Sequence, residues 1–235
     1  MTIIFENRAV AFIDILGFKN FVNDAVANNN VDSLDKLVHL LSSAVPGLNG
    51  VVDGSVPKHL IPCHIYISDC IILSAPISDP SVPSYNGLST VVMRVIQLSH
   101  RLLGAGHLIR GGISVGDVWH SASNIIGPAY QEAFQLEHKG QEPVVVLSPT
   151  AKQHWKSPSR LCLDHGGEVF VNSLFADYIP NSCGYGVIEK TYKEYAELAE
   201  KRLGEGLDGS AKEKWQWFKD FVQAEASDGQ KWKPA

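Results

Sequence analysis

Apolar residues recur along this chain with two different periods, and the switches between the periods outline its elements. Val10-Ala11-Phe12-Ile13-Asp14-Ile15-Leu16 is a nearly unbroken run of buried-strand composition, whereas beyond Gly17 the apolar positions Phe18, Phe21, Val22 and Ala25 fall at helical spacing. The pattern predicts a strand that turns at Gly17 into a helix. Asn28-Asn29-Asn30 ends that helix, and Asp32 or Ser33 is expected to cap a second one, striped by Leu34, Leu37, Val38 and Leu41 and closed by Pro46-Gly47. Two apolar segments, about His59 to Ile67 and Cys70 to Ala75, flank Ser68-Asp69 and read as a hairpin. Leu88 to Leu103 reads as a buried helix. A second hairpin is expected around Gly116-Asp117, between His107 to Val115 and the residues from Val118. Pro128 to about His138 predicts a helix, Val144 to Leu147 a strand, Ser148-Pro149-Thr150 the start of a short helix, and Glu168 to Val171 a late strand. From Thr191 to Ala226 the chain is amphipathic and helical, broken at Gly204-Glu205-Gly206.

The order strand, helices, hairpin, helix, strand is that of an α+β fold built on a strand-helix-strand-strand-helix-strand core. Residues 1–150 form that core, and residues 151–235 are expected to pack on it as a strand and helix extension within a single domain. With 45% hydrophobic and 19% charged residues, the 235-residue chain has the composition of an ordinary globular protein with one sizeable core. A net charge of −5 gives no general attraction for nucleic acid or an anionic membrane, so a polyphosphate would have to be held by local groups. Cys63, Cys70, Cys162 and Cys183 form no C-x-x-C pair, and Met1 to Arg8 lacks a signal-peptide core, so reduced thiols and a cytoplasmic location are expected. The nine histidines show no zinc-binding spacing, and no run is long enough for a membrane helix.

Candidate chemistry sits where charge interrupts apolar runs. Asp14 breaks the first strand, and Asp69 breaks Ile65-Tyr66-Ile67-Ser68-Asp69-Cys70-Ile71-Ile72-Leu73. A carboxylate withdrawn from water needs a partner, and two placed close together raise each other's pKa unless a cation lies between them. A strand-end cap or a turn aspartate would explain either residue alone. The pair, beside the helix start at Gly17-Phe18 whose N–H groups can receive phosphate oxygens, favours a divalent metal holding phosphate. Arg110 lies between Ile109 and Gly111-Gly112 in a strand-like run. It reads as a guanidinium fork for phosphate, with an intramolecular salt bridge as the plain alternative, and the glycines are expected to leave room for the ligand. Asp117 reads as a turn residue rather than a third ligand.

These residues resemble the class III nucleotidyl cyclases, the family of adenylate and guanylate cyclase catalytic domains with a ferredoxin-like, palm-related sheet. The resemblance rests on Phe12-Ile13-Asp14-Ile15-Leu16-Gly17-Phe18, on Ser68-Asp69, on Ile109-Arg110-Gly111-Gly112-Ile113-Ser114-Val115-Gly116, and on Ile125-Ile126-Gly127 with the helix through Ala133 and Glu137. It implies that Asp14 and Asp69 hold two Mg or Mn ions with help from the backbone carbonyl of Ile15. Gly17 and Phe18 would cradle the triphosphate and Arg110 its phosphates, and the site would lie at a head-to-tail homodimer interface.

Departures from the family narrow the substrate. Ile65 stands where adenylate cyclases carry the purine-reading lysine, Asn124 where they carry the acidic base reader, and Gln131 and Gln135 where the transition-state helix carries asparagine and arginine. Tyr66 is expected to project into the base pocket and reduce its volume, with a sheet-face aromatic as the plain reading. A Tyr-x-x-Asp motif without the purine lysine resembles the bacterial pyrimidine cyclases of the Pycsar antiphage system. That resemblance implies conversion of UTP to cyclic UMP, or of CTP to cyclic CMP, as a signal to a separate effector. The competing expectations are a purine cyclase and an inactive cyclase-like nucleotide-binding module. The aromatic tail with Trp215, Trp217, Phe218 and Phe221 is expected to pack on the core rather than to anchor in a membrane.

Overall fold

The structure is a computed structural model and describes residues 2–50, 52, 54–140, 142–156, 159–207 and 209–228. The last seven residues of the expected extension lie outside the described residues. Strands β1 (Glu6–Ile15), β2 (Cys63–Ile67), β3 (Cys70–Pro76), β4 (Ile109–His120), β6 (Val145–Leu147), β7 (Cys162–His165) and β8 (Glu168–Val171) form one sheet in the order β2-β3-β1-β4-β6-β8-β7, and β5 (Ile125–Ile126) pairs with the end of β4. All pairs are antiparallel except β4 with β6. Helices α1 (Phe18–Ala27) and α2 (Val31–Asn49) connect β1 to β2, and α3 (Gly87–Gly104) connects β3 to β4. This is the expected strand-helix-strand-strand-helix-strand core within a mixed α+β fold. Helices α4 (Pro128–Lys139) and α5 (Pro149–His154) follow, and α6 (Val187–Gly204) and α7 (Gly209–Asp228) make the C-terminal helical extension.

Alternation along the strands divides the sheet into two faces. Ala9, Ala11, Ile13, Ile71 and Leu73 face a core formed with Leu37 and Leu41 of α2 and Val91, Val95 and Leu98 of α3. Val10, Phe12, Ile65 and Ile72 face the other way, against Ala129 and Ala133 of α4. Glu132 fastens α4 by accepting hydrogen bonds from Ser114 of β4 and from Thr150 of α5, the latter at 2.9 Å.

Several local expectations are corrected. Gly116-Asp117 is not a turn: β4 runs unbroken for 12 residues because β1 is long enough to pair Arg8 with Gly116 and Asn7 with Asp117. The turn falls at residues 121–124 instead, where the Ser121 N–H donates to the Asn124 carbonyl at 2.8 Å. Asn30, not Asp32 or Ser33, caps α2, its side chain accepting from the Ser33 N–H at 3.3 Å. Pro46 lies inside that helix, which continues to Asn49. β7 escaped sequence reading, since Cys162-Leu163-Asp164-His165 has little alternation to betray it.

The extension is tied down by buried polar pairs as well as by Phe218, Phe221 and Val222. His100 of α3 is buried among apolar groups, which pushes its pKa down to about 4. The neutral ring lies 2.9 Å from the Tyr195 hydroxyl through Nδ1, and Nε2 donates to the Phe175 carbonyl at 3.2 Å. Glu225 of α7 accepts from Arg160 at 2.6 Å and from Asn172 at 3.0 Å. Among the described residues no helix is long and apolar enough to cross a membrane.

Replacing Glu225 with Ala leaves a guanidinium and a buried amide without their acceptor and should lower unfolding stability by about 2–3 kcal/mol. Glu225→Gln, which keeps an acceptor for Asn172, should lose less. Urea unfolding of the two variants measures the difference.

Candidate active site

Two turns bring the predicted residues together. β2 and β3 are joined by Ser68-Asp69 alone, with Ile67 paired to Cys70 across the turn. Ser68 takes the left-handed backbone (φ 57°) that so tight a connection requires. Because Cys70 in turn pairs with Asp14, the turn holds Asp69 beside the end of β1. The second turn is at Gly17, whose φ of 79° suits glycine and redirects the chain from β1 into α1. Among the described residues no side chain caps that helix, so its first N–H groups are open to a ligand.

Asp14, Cys70 and Arg110 lie on one row across the sheet, through the pairings Cys70 with Asp14 and Asp14 with Arg110. One ligand atom from each of Asp14, Asp69 and Cys70 lies within 4.8 Å of the others. The Cys70 sulfur is 3.8 Å from an oxygen of each aspartate. Arg110 Nε donates to Asp14 Oδ2 at 3.3 Å, and its Nη2 pairs with Glu137, which also contacts His138 Nδ1 at 2.6 Å. Burial first, then the charges of Asp69 and Glu137, raise the pKa of Asp14 to about 6 despite the opposing pull of Arg110. The same burial and carboxylates push the Cys70 thiol up to about 12. Asp14, Asp69 and Cys70 thus form a small cluster that could hold a divalent metal, with the aspartates supplying hard oxygen ligands. A divalent ion fits it, because the one guanidinium reaches Asp14 and Glu137 while Asp69, beside Asp14, has no such partner among the described residues.

These groups border a cavity of about 650 Å³ that also takes in Gly17, Phe18 and Ile15. Its far wall belongs to the C-terminal helices, through Arg202, Lys214 and Trp215.

No protein-family model matches the chain, and no curated protein does. Among solved structures, the chain is similar to a bacterial light-regulated adenylyl cyclase at 13% identity and a TM-score of 0.49, over 84% of this chain and 59% of that one. It is also similar to the catalytic core of a rhodopsin-guanylyl cyclase with converted specificity in complex with ATPαS. That match has 17% identity and a TM-score of 0.48, over 71% of this chain and 95% of the other. The chain thus spans less than two thirds of the light-regulated cyclase.

Other expected site residues lie elsewhere. Tyr66 pairs with Ile71, a core-face residue, so alternation turns it away from the aspartates. With His64, Ala122 and Ser123 it lines a separate cleft of about 430 Å³. Asn124 is exposed beside that cleft, its Oδ1 accepting from the Ile125 N–H at 2.8 Å. Gln131 and Gln135 are on the exposed side of α4. The glycines after Arg110 do not make room for a ligand: a Cβ at Gly112 would meet the Ala133 carbonyl at 2.5 Å, and one at Gly111 the Phe12 carbonyl at 2.0 Å. They admit α4 and the neighbouring strand. Glu137 is named from sequence only as part of the family-like helix, and neither it nor Cys70 is given a role there. Glu137 follows Ala129 and Ala133 at four-residue steps on the buried stripe of α4, and an acid on such a stripe is the signal that identifies it.

In metal-free protein the Asp14 carboxyl should titrate near pH 6 by carbon-13 NMR. Asp69→Asn should move the midpoint down by removing a like charge. Arg110→Met should move it up by removing the opposite one.

Proposed function

We propose that this protein is a metal-dependent nucleotidyl cyclase that converts UTP to 3',5'-cyclic UMP and pyrophosphate, with CTP to cyclic CMP as its nearest alternative. The observation that carries the reading is the meeting of Asp14 and Asp69, within 4.8 Å, at the floor of a cavity that also holds the open start of α1. One or two Mg or Mn ions held there by Asp14, Asp69 and the Ile15 carbonyl would lower the pKa of the attacking hydroxyl and offset charge on the leaving pyrophosphate. The N–H groups from Gly17 into α1 bind the phosphate tail. Arg110 holds Asp14 in position and adds positive charge at the cavity. Glu137 in turn fixes the guanidinium.

A second copy of the chain completes the site in this reading. Ile67, 58% exposed, and Phe134, 40% exposed, lie beside the aspartates on the open side of the sheet, where an apolar partner surface would cover them. Tyr66 and Asn124 lie outside the cavity of their own chain, so base recognition falls to that cleft of a head-to-tail partner, as would any role of Gln131 and Gln135 at the transition state. Ile65, buried in the core, cannot donate to a base as lysine does, which removes that route to purine recognition. The cyclic nucleotide would act on a separate effector in antiphage defence.

One observation favours a second reading. Arg110 is already engaged by Asp14 and Glu137, as in a nucleotide-binding module that does not turn over.

Incubation with each of the four nucleoside triphosphates and Mn2+, followed by mass spectrometry, separates these readings. A cyclic pyrimidine nucleotide is expected. Purine products alone would overturn the specificity, and no cyclic product would favour the inactive module. Asp14→Ala or Asp69→Ala should reduce turnover more than about 100-fold with an unchanged circular dichroism spectrum. Co-expression of Asp14→Ala with Tyr66→Ala should restore about one quarter of the wild-type rate, because half of randomly paired dimers carry one intact site of two.

A further inference from the structure

We propose that Lys214, on the C-terminal helix α7, is the cation that binds the phosphate tail of the substrate and stabilises the leaving pyrophosphate. The inference rests on the triphosphate reading above and adds a residue from outside the cyclase-like core.

The cavity has two walls of different origin. β1, the Ser68-Asp69 turn and α1 build one, while Arg202, Ser210 and Lys214 of the α6–α7 hairpin build the other. The acidic floor consumes the cation nearest to it, since Arg110 is shared between Asp14 and Glu137. Arg202 is also spent. Its guanidinium donates to Glu205 at 3.1 Å and to the Gly106 carbonyl at 3.4 Å, and lies 5.8 Å from the centre of the Trp215 ring. Lys19 borders the cavity from α1 but is exposed to solvent.

Lys214 differs from all of these. It is half-buried, and among the described residues its ammonium has no carboxylate partner. It donates to the Ser210 hydroxyl one turn earlier, at 3.3 Å. An ammonium without a carboxylate partner gains when an anion arrives, and little of that gain is lost to ordering if the side chain is already held. The helix beneath it is held too. Glu225 joins Arg160 and Asn172, Lys219 meets Glu200 of α6 at 3.2 Å, and Phe218 and Phe221 are buried. An acidic floor facing a lysine across a cavity suits a metal-bound polyphosphate, whose cation meets the carboxylates and whose tail meets the ammonium.

The test uses the full chain as wild type, Lys214→Ala, Lys214→Arg and Lys212→Ala, the last an exposed lysine of the same helix. Binding of inorganic tripolyphosphate, with and without Mn2+, is measured by calorimetry, and KM and kcat are measured for the triphosphate that is cyclised. Lys214→Ala should weaken tripolyphosphate binding by about tenfold or more and raise KM, while Lys214→Arg stays within about threefold of wild type and Lys212→Ala is unchanged. Unaltered tripolyphosphate binding and KM in Lys214→Ala would overturn the role of Lys214 and leave the cyclase reading standing. Equal losses in the Ala and Arg variants with a lowered melting temperature would overturn it in favour of a packing role. Wild-type protein that neither binds tripolyphosphate nor makes a cyclic nucleotide would sink both readings.

Discussion

Three carboxylates gather around one guanidinium that pairs with only two of them, on the α4 side of the sheet, and the remaining features of the site answer that imbalance. Asp14 and Arg110 are neighbours because β1 and β4 pair in register, Asp69 joins them through a two-residue turn, and Glu137 arrives on α4. Glu137 is 3% exposed, so its charge is poorly screened and adds to the crowding that lifts the Asp14 pKa to about 6. A folded chain keeps such an arrangement where a further cation relieves it. The geometry could therefore hold a divalent metal, a reading that owes nothing to any likeness to other proteins.

Strand register decides how that imbalance is built. A shift of one residue between β1 and β4 would turn Arg110 to the core face and strip Asp14 of its partner. Gly112 guards against looseness on that side, because the space a side chain would fill is occupied by Ala133 and Leu136 of α4. The close approach brings Glu137 within reach of Arg110. What looked like clearance for a ligand is the seat of the helix that supplies the third carboxylate.

Much of this was legible in sequence where one residue type carries one meaning. The core order, the hairpin at Ser68-Asp69, the turn at Gly17 and the pairing of Asp14 with Asp69 follow from apolar runs broken by a charge or a glycine. Legibility failed where a signal depends on a distant partner. Gly116-Asp117 has turn chemistry, yet ten residues of β1 hold β4 straight through it. Tyr66 is close to Asp69 in the chain, but alternation sends it to the opposite face. Neither outcome can be read from local composition, because each is settled by ladder hydrogen bonds to another strand.

The basic wall of the cavity was hidden for the same reason. Lys214 is one of several lysines on an amphipathic helix, and only the packing of α6 and α7 on α3 and β8 singles it out. That packing relies on His100 against Tyr195 and on Glu225 against Arg160, two contacts remote from the aspartates. Stability and chemistry are thereby linked. Contacts that dock the extension also set the distance between the acidic floor and the lysine, so loosening the helices would unmake one wall of the cavity while leaving the sheet and its aspartates in place.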